Sequence, residues 1–201
     1  MRAALFSLLA GCGGAVEAPA PAPASTPAPS PQATAKPAAP APAKPVTDID
    51  DGDATICTAS AYVIDPDPAG LNVRAQPGKS GSVVGAMPAD AMVDVQGRSD
   101  GWLQVRLIAT PDNDTPAPLR GWVYAKMLGV DFAGEFEASG VDLRASADDS
   151  ADVSGHITTS PRLLDCGGGW LRVEGVQGPD QGKVGWMAPG TWCGSSLTSC
   201  S

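Results

Sequence analysis

After residue 54 the chain alternates apolar and polar positions with a period of two in one short run after another. "AGLNVRAQ" (69–76) sets Leu71 and Val73 against Asn72 and Arg74 and runs into a Pro-Gly turn, the pattern of a half-buried strand. "AMVDVQG" (91–97), "GWLQVRLI" (101–108) and "RGWVYAKML" (120–128) are further short strands, separated by Asp-Gly, Pro-Asp and Gly-rich punctuation. The same reading applies to "SGVDLRAS" (139–146), "RLLDC" (162–166), "GWLRVEG" (169–175) and "VGWMAP" (184–189). No segment sustains a 3.6-residue period, so helices are minor and the expected fold class is all-β. About five short strands in roughly 70 residues suit a small barrel, whose closure removes exposed strand edges.

The runs repeat. With Leu71 set against Val141, Val73 falls on Leu143, Arg74 on Arg144, Ala75 on Ala145, Val83 on Val153 and Gly85 on Gly155. Gly101-Trp102 then matches Gly169-Trp170, Val105 matches Val173, and Gly121-Trp122 matches Gly185-Trp186. The two Gly-Trp pairs are 20 residues apart in the first copy and 16 in the second, so the loop between them differs in length. Four of the five tryptophans thus hold equivalent places in two copies of one pattern, which identifies an internal repeat.

The first copy resembles the bacterial SH3-like domain. The residues that carry the resemblance are Leu71-Asn72-Val73-Arg74 within "DPDPAGLNVR" (65–74), Gly101-Trp102, and Gly121-Trp122-Val123. The second copy is a divergent member, with Asp142 for Asn72, Leu143 for Val73, Ala147 for Pro77, and Met187-Ala188 after Trp186. The resemblance spans residues 55 to about 195 and divides them into domains at 54–130 and 131–201. It implies two small, partly open barrels in tandem, used for binding or targeting, with no catalysis by the module itself. Such domains often accompany cell-wall hydrolases or sit in envelope proteins.

Composition separates the first quarter of the chain from the rest. Between Ala15 and Val46 the sequence is almost all Pro and Ala and holds ten of the twenty prolines. Such a stretch buries too little surface to offset its ordering entropy, so residues 12–53 are expected to be a disordered, polyproline-like tether. Ahead of it, "MRAALFSLLAGC" has one Arg, a short apolar run and small residues, the parts of an export signal at 1–11. Its Leu9-Ala10-Gly11-Cys12 ending resembles the lipobox of bacterial lipoproteins, which implies cleavage before Cys12 and a lipid on its sulfur. Gly13 is not the Asp associated with inner-membrane retention in many bacteria with two membranes. By that resemblance, in a bacterium with two membranes the anchor belongs on the periplasmic face of the outer membrane. The formal net charge is −9, with no basic surface to neutralise phosphates, so no nucleic-acid partner is expected. Attraction to anionic lipid is excluded on the same ground, leaving the lipid anchor as the sole membrane contact.

Export permits disulfides, and Cys57, Cys166, Cys193 and Cys200 remain once Cys12 is set aside. Four cysteines allow three connectivities. Three of the four lie in the second copy, so one bridge is expected there and Cys57 would tie the copies together. No metal-ligand spacing and no cofactor motif emerges. Asp165-Cys166-Gly167-Gly168 superficially resembles the Asp-Cys-Ser-Gly start of NlpC-type cell-wall peptidases. No His follows it to take a proton, and the repeat puts Cys166 in the loop before Trp170, so a disulfide is the reading adopted. His156 aligns with Ala86 and lacks a nearby nucleophile, which leaves it an exposed or half-buried side chain. "TDIDDGD" (47–53) has Asp53 and Ala59 where a calcium loop needs Gly and Glu. "GPDQGK" (178–183) is one residue short of a phosphate loop and reads as a hairpin turn.

Aromatic and Arg positions supply the candidate ligand groove. Trp102 and Trp170 each begin an alternating strand and are assigned to the core. Trp122, Tyr124 and Trp186 lie on the last strand of each copy, beside the variable loop, and are the groove candidates together with Arg74 and Arg144. The two arginines also suit a second role, holding the following loop by hydrogen bonds. The expected function is a non-enzymatic, lipid-anchored envelope protein whose tandem SH3-like domains bind a peptide ligand, either peptidoglycan stem peptide or an envelope protein. The alternative is a purely structural lipoprotein that stabilises an envelope partner without a ligand groove.

Overall fold

The computed structural model describes residues 55–112 and 115–194. The expected signal, the tether, the acidic stretch 47–53, Cys12 and Cys200 lie outside the described residues. Regular structure among the described residues is β, apart from three single turns of 3-10 helix. The first half supplies β1 (Thr55–Val63), β2 (Leu71–Arg74), β3 (Val83–Met87), β4 (Met92–Ser99), β5 (Trp102–Ala109), β6 (Arg120–Tyr124) and β7 (Leu128–Gly129). The second supplies β8 (Asp131–Phe132), β9 (Val141–Arg144), β10 (Val153–Ile157), β11 (Arg162–Gly167), β12 (Trp170–Glu174), β13 (Val184–Met187) and β14 (Trp192–Cys193).

Strand pairing recurs along the chain. In β2–β3, Val73 faces Gly85 and Arg74 faces Val83; in β9–β10, Leu143 faces Gly155 and Arg144 faces Val153. Each pair carries one extra residue at the same place, Val84 in one and Ser154 in the other, so the bulge recurs as well. Val95 and Leu163 likewise face Val105 and Val173, with a bulge just beyond each. The hairpins β4–β5 and β11–β12 close through two-residue turns. Asp100 and Gly101 take φ of 43° and 78°, and Gly168 and Gly169 take 60° and 83°. Two successive positive φ values match the right-handed twist of the flanking strands, and Asp-Gly and Gly-Gly reach them with least strain.

The Gly-Trp pairs follow from crowding. A Cβ at Gly121 would lie 2.5 Å from the Arg74 carbonyl oxygen and 2.7 Å from Val73 Cγ1. At Gly185 it would lie 2.7 Å from Leu143 Cβ and 3.0 Å from the Arg144 carbonyl oxygen. Glycine therefore lets β2 and β9 cross close over β6 and β13, where Arg74 faces Trp122 and Arg144 faces Trp186.

Hydrogen bonding orders twelve strands in one sheet: β10-β9-β13-β12-β11-β7-β1-β4-β5-β6-β2-β3. The expected ring closure is absent from this order, which is open and ends on β3 and β10. The two-residue β7 is the seam, with Tyr62 and Arg162 facing Gly129 from β1 and β11. Alternation buries Val63, Val73, Val93, Leu103 and Leu128 in the first half and Leu143, Ile157, Leu163, Leu171 and Met187 in the second, all within 1% of zero exposure. Each contributes about 1.5–3 kcal/mol relative to an exposed position. The Cys57–Cys166 disulfide bridges β1 to β11 across 109 residues of sequence, with Cα atoms 5.4 Å apart. Cys166 thus lies on a strand rather than in the loop before Trp170, because β11 continues to the turn at Gly168.

Candidate functional site

The side chains on β2 and β9 serve the loops that follow them. Arg74 Nη1 donates to the Gly81 carbonyl at 2.7 Å, and Arg144 Nη1 donates to the Ala151 carbonyl at 3.0 Å. Each spans seven residues and pins its loop; both guanidinium groups are half-buried and engaged in this contact.

Trp122 is not a groove residue. It is completely buried on β6, where Gly121, Trp122 and Val123 are buried in succession, so both faces of the strand are covered. Trp186 is half-buried on β13, between Arg172 and Arg144. Tyr124 is 40% exposed. Its ring packs on Trp102, with centroids 5.8 Å apart and planes inclined by 51°. Trp102, expected in the core, is half-buried: it is the first residue after the Asp100–Gly101 turn, at the end of its strand, paired with Ser99 and Tyr124. In the second half Trp170 does enter the core, at 8% exposure.

Beside Trp102 lies a depression of about 490 Å³, with Thr55, Arg98, Asp100 and Gly101 on one side and Leu164 and Asp165 from β11 on the other. Arg98 Nη1 donates to Asp165 Oδ2 at 2.6 Å across it, and Asp165 Oδ1 accepts the Cys166 backbone N–H at 2.9 Å. Both members of the ion pair are about one-third exposed, so water screens it and its net worth is about 1 kcal/mol or less. Its effect is to shape one wall of the depression with charge. Cys166 is oxidised to a disulfide and offers no thiolate nucleophile. Cys193 is disulfide-bonded too.

Two polar clasps hold the second half. Asp180, 1% exposed, accepts from the backbone N–H and hydroxyl of both Thr158 and Thr159 through Oδ2, and from Lys183 Nζ through Oδ1. The Lys183 bond, seconded by the Thr158 N–H, holds its carboxyl far below the usual carboxylate range despite burial. So "GPDQGK" is a turn, as its sequence suggests, and also carries a buried anchor that its sequence does not announce. At the seam, the Tyr62 hydroxyl donates to Asp131 Oδ1 at 3.3 Å and the Ser160 hydroxyl donates to the same oxygen at 2.6 Å. Burial and the Asp131 charge push the Tyr62 hydroxyl up to about 12, so it remains a donor. His156 is exposed, with Nδ1 2.8 Å from Asp142 Oδ1 and Nε2 3.0 Å from the Ser139 carbonyl oxygen. Among the described residues there is no group of three or more potential metal ligands, and no helix long and apolar enough to cross a membrane.

In comparison with known proteins, the family model described as "Bacterial SH3 domain" matches residues 69–129. That span contains β2 through β7, including Trp102 and Tyr124. No curated protein matches the chain. Among solved structures, NlpC1 from Trichomonas vaginalis is 13% identical, with a TM-score of 0.26 and coverage of 73% of this chain. The match spans about half of that protein, 49%, and likeness at this level carries no argument about the present chain.

Proposed function

We propose that this chain is a non-enzymatic component of a bacterial cell envelope that binds a peptide through its first half, on the face formed by Trp102 and Tyr124. The carrying observation is the tilted aromatic pair, an exposed Tyr124 on a half-buried Trp102, beside a depression walled by Arg98, Asp100 and Asp165. Two rigid aromatic rings give contact area at low entropy cost, and the charged wall orients peptide termini and side chains. Bacterial SH3 domains serve as cell-wall binding modules, so peptidoglycan stem peptide is the ligand class of choice, with an envelope protein segment as the variant of the same reading. The recurring strand register supports taking residues 131–201 as a second, divergent SH3-like domain. Leu9-Ala10-Gly11-Cys12 supports a lipid anchor at Cys12, with the Pro/Ala stretch as the tether.

Co-sedimentation with purified sacculi tests the binding reading. The wild-type chain should pellet with them, and Trp102→Ala and Tyr124→Ala should each weaken binding at least tenfold. Wild-type protein left wholly in the supernatant would sink the cell-wall version. The Cys57–Cys166 bridge and the shared β7 favour a second reading for residues 131–201, that of a rigid brace with no ligand of its own. On that reading Trp186→Ala leaves sedimentation unchanged.

A further inference from the structure

One place in the strand plan is filled in the second half and open in the first. A Cβ at Gly169 would lie 3.3 Å from Pro189 Cγ, so a proline ring covers the turn before Trp170. Pro189 occupies the position of Ala125, and because proline has no N–H, the Gly169 carbonyl accepts from Trp192 Nε1 instead, at 3.2 Å. In the first half the Gly101 carbonyl accepts the Ala125 N–H at 3.0 Å, and a Cβ at Gly101 would meet nothing within 4 Å. The open place borders Trp102, whose ring makes a notch with Tyr124 at 51°.

The chain arrives beside this notch. Thr55, the first described residue, lines the same depression as Trp102, so the segment before it enters at the rim. That segment includes Pro40-Ala41-Pro42-Ala43-Lys44-Pro45-Val46. A polyproline II helix has three residues per turn, so Pro42 and Pro45 would fall on one face, and such segments dock aromatic grooves with little ordering cost. Proline ring faces suit tilted aromatic rings, and the carbonyls of such a segment accept from an indole N–H. Lys44 is the only charged residue in the segment, and the rim carries the exposed Asp100. Residues 47–54 span at most about 28 Å when extended, ample for the segment to turn back over the rim it enters by.

We infer that Pro40–Val46 docks in cis on the Trp102–Tyr124 notch and competes there with external peptide. This rests on the reading of that face as a binding surface. A short linker sets an effective concentration on the order of millimolar. A segment with a millimolar intrinsic Kd then covers about half of the molecules and raises the apparent Kd of a competing peptide about twofold.

The test follows the indole 1H–15N signal of Trp102 in the full chain, assigned by its loss in Trp102→Phe. The wild-type signal should differ from that of a Pro42→Ala/Lys44→Ala/Pro45→Ala chain, independently of protein concentration. The free heptapeptide PAPAKPV should move the variant's signal toward the wild-type position, with an apparent Kd about half that for the wild-type chain. Identical signals in the two chains would overturn the inference while leaving sacculus binding as a separate result. A difference that vanishes on dilution would overturn it as well, because the segment would then be reaching a second copy. Loss of sacculus binding in wild type, with the signal difference intact, would sink the cell-wall reading alone.

Discussion

At the turn before its first hairpin tryptophan, the second half of the molecule is covered and the first half is bare. Pro189 and Trp192 close over Gly169 beside Trp170, which is 8% exposed, whereas Trp102 is half-buried against Tyr124, itself 40% exposed. The β5–β6 and β12–β13 connections differ in the same spirit. In the first half Leu119 packs over Gly85; in the second the shorter connection carries Asp180 back to Thr158 and Thr159, and a Cβ at Gly155 would meet only Leu143 Cδ1, at 3.9 Å. One strand plan with matching registers and bulges therefore supports a half whose hairpin turn stays open beside its tryptophan and a half in which that turn is covered. Shared register does not imply shared function: what decides is the chain just past the last strand.

The largest expected effect comes from cutting the link between the halves. Cys57→Ser/Cys166→Ser frees a long loop in the unfolded chain, which should cost about 4–5 kcal/mol. Guanidinium denaturation should show an earlier midpoint and two separable transitions. A single transition at the wild-type midpoint would mean that β7 alone couples the halves. Next, the two hairpin tryptophans should part company. Trp170→Ala removes a buried side chain and should cost about 3–5 kcal/mol, while Trp102→Ala at the end of β5 should cost about 1 kcal/mol. Equal losses would remove the contrast between a covered and a bare face.

A smaller effect should appear at Asp180, which has no counterpart in the first half. Asp180→Asn should cost about 2 kcal/mol at neutral pH by weakening charge-assisted bonds to buried donors. Because its folded pKa is depressed, the unfolded chain binds the proton more readily. The contribution is therefore complete above about pH 4, the ordinary range for Asp, and fades as pH falls toward the folded value. The gap in stability between wild type and variant should narrow below about pH 4 in urea melts, and a gap independent of pH would assign the loss to packing instead.

Much of the strand plan is legible in the sequence because its signals are local. Asp100-Gly101 and Gly168-Gly169 announce two-residue turns, and Leu-x-Val-Arg and Val-x-Leu-Arg alternate cleanly. β1 is harder to see, since its buried positions include Cys57, Ala59 and Ala61, small residues with a weak apolar signal. Open or closed order is not legible at all, because alternation fixes which face is buried and not which edges meet. The site shows the same division. Of the groove candidates Tyr124 is exposed and Trp122 is fully buried, while Trp102, assigned to the core, is half-buried. Both tryptophans begin apparent strands after a glycine; only the fold reveals that Trp122 is covered on both faces of β6 while Trp102 sits beside the Asp100–Gly101 turn at the end of β5. Arg98 with Asp165 and Asp180 with Thr158 join residues distant in sequence, through charges that no local pattern pairs.

The Cys57–Cys166 bridge also determines where mechanical load travels. Tension applied at residue 55 reaches Cys57 within two residues and crosses the covalent bond to Cys166, bypassing everything between them. The Trp102–Tyr124 notch lies inside the bypassed loop. A pull on the N-terminal segment would first part the pairing of Thr55 with Arg98 and Ile56 with Gly97, and would then load the chain beyond Cys166, leaving Trp102 and Tyr124 off the load path.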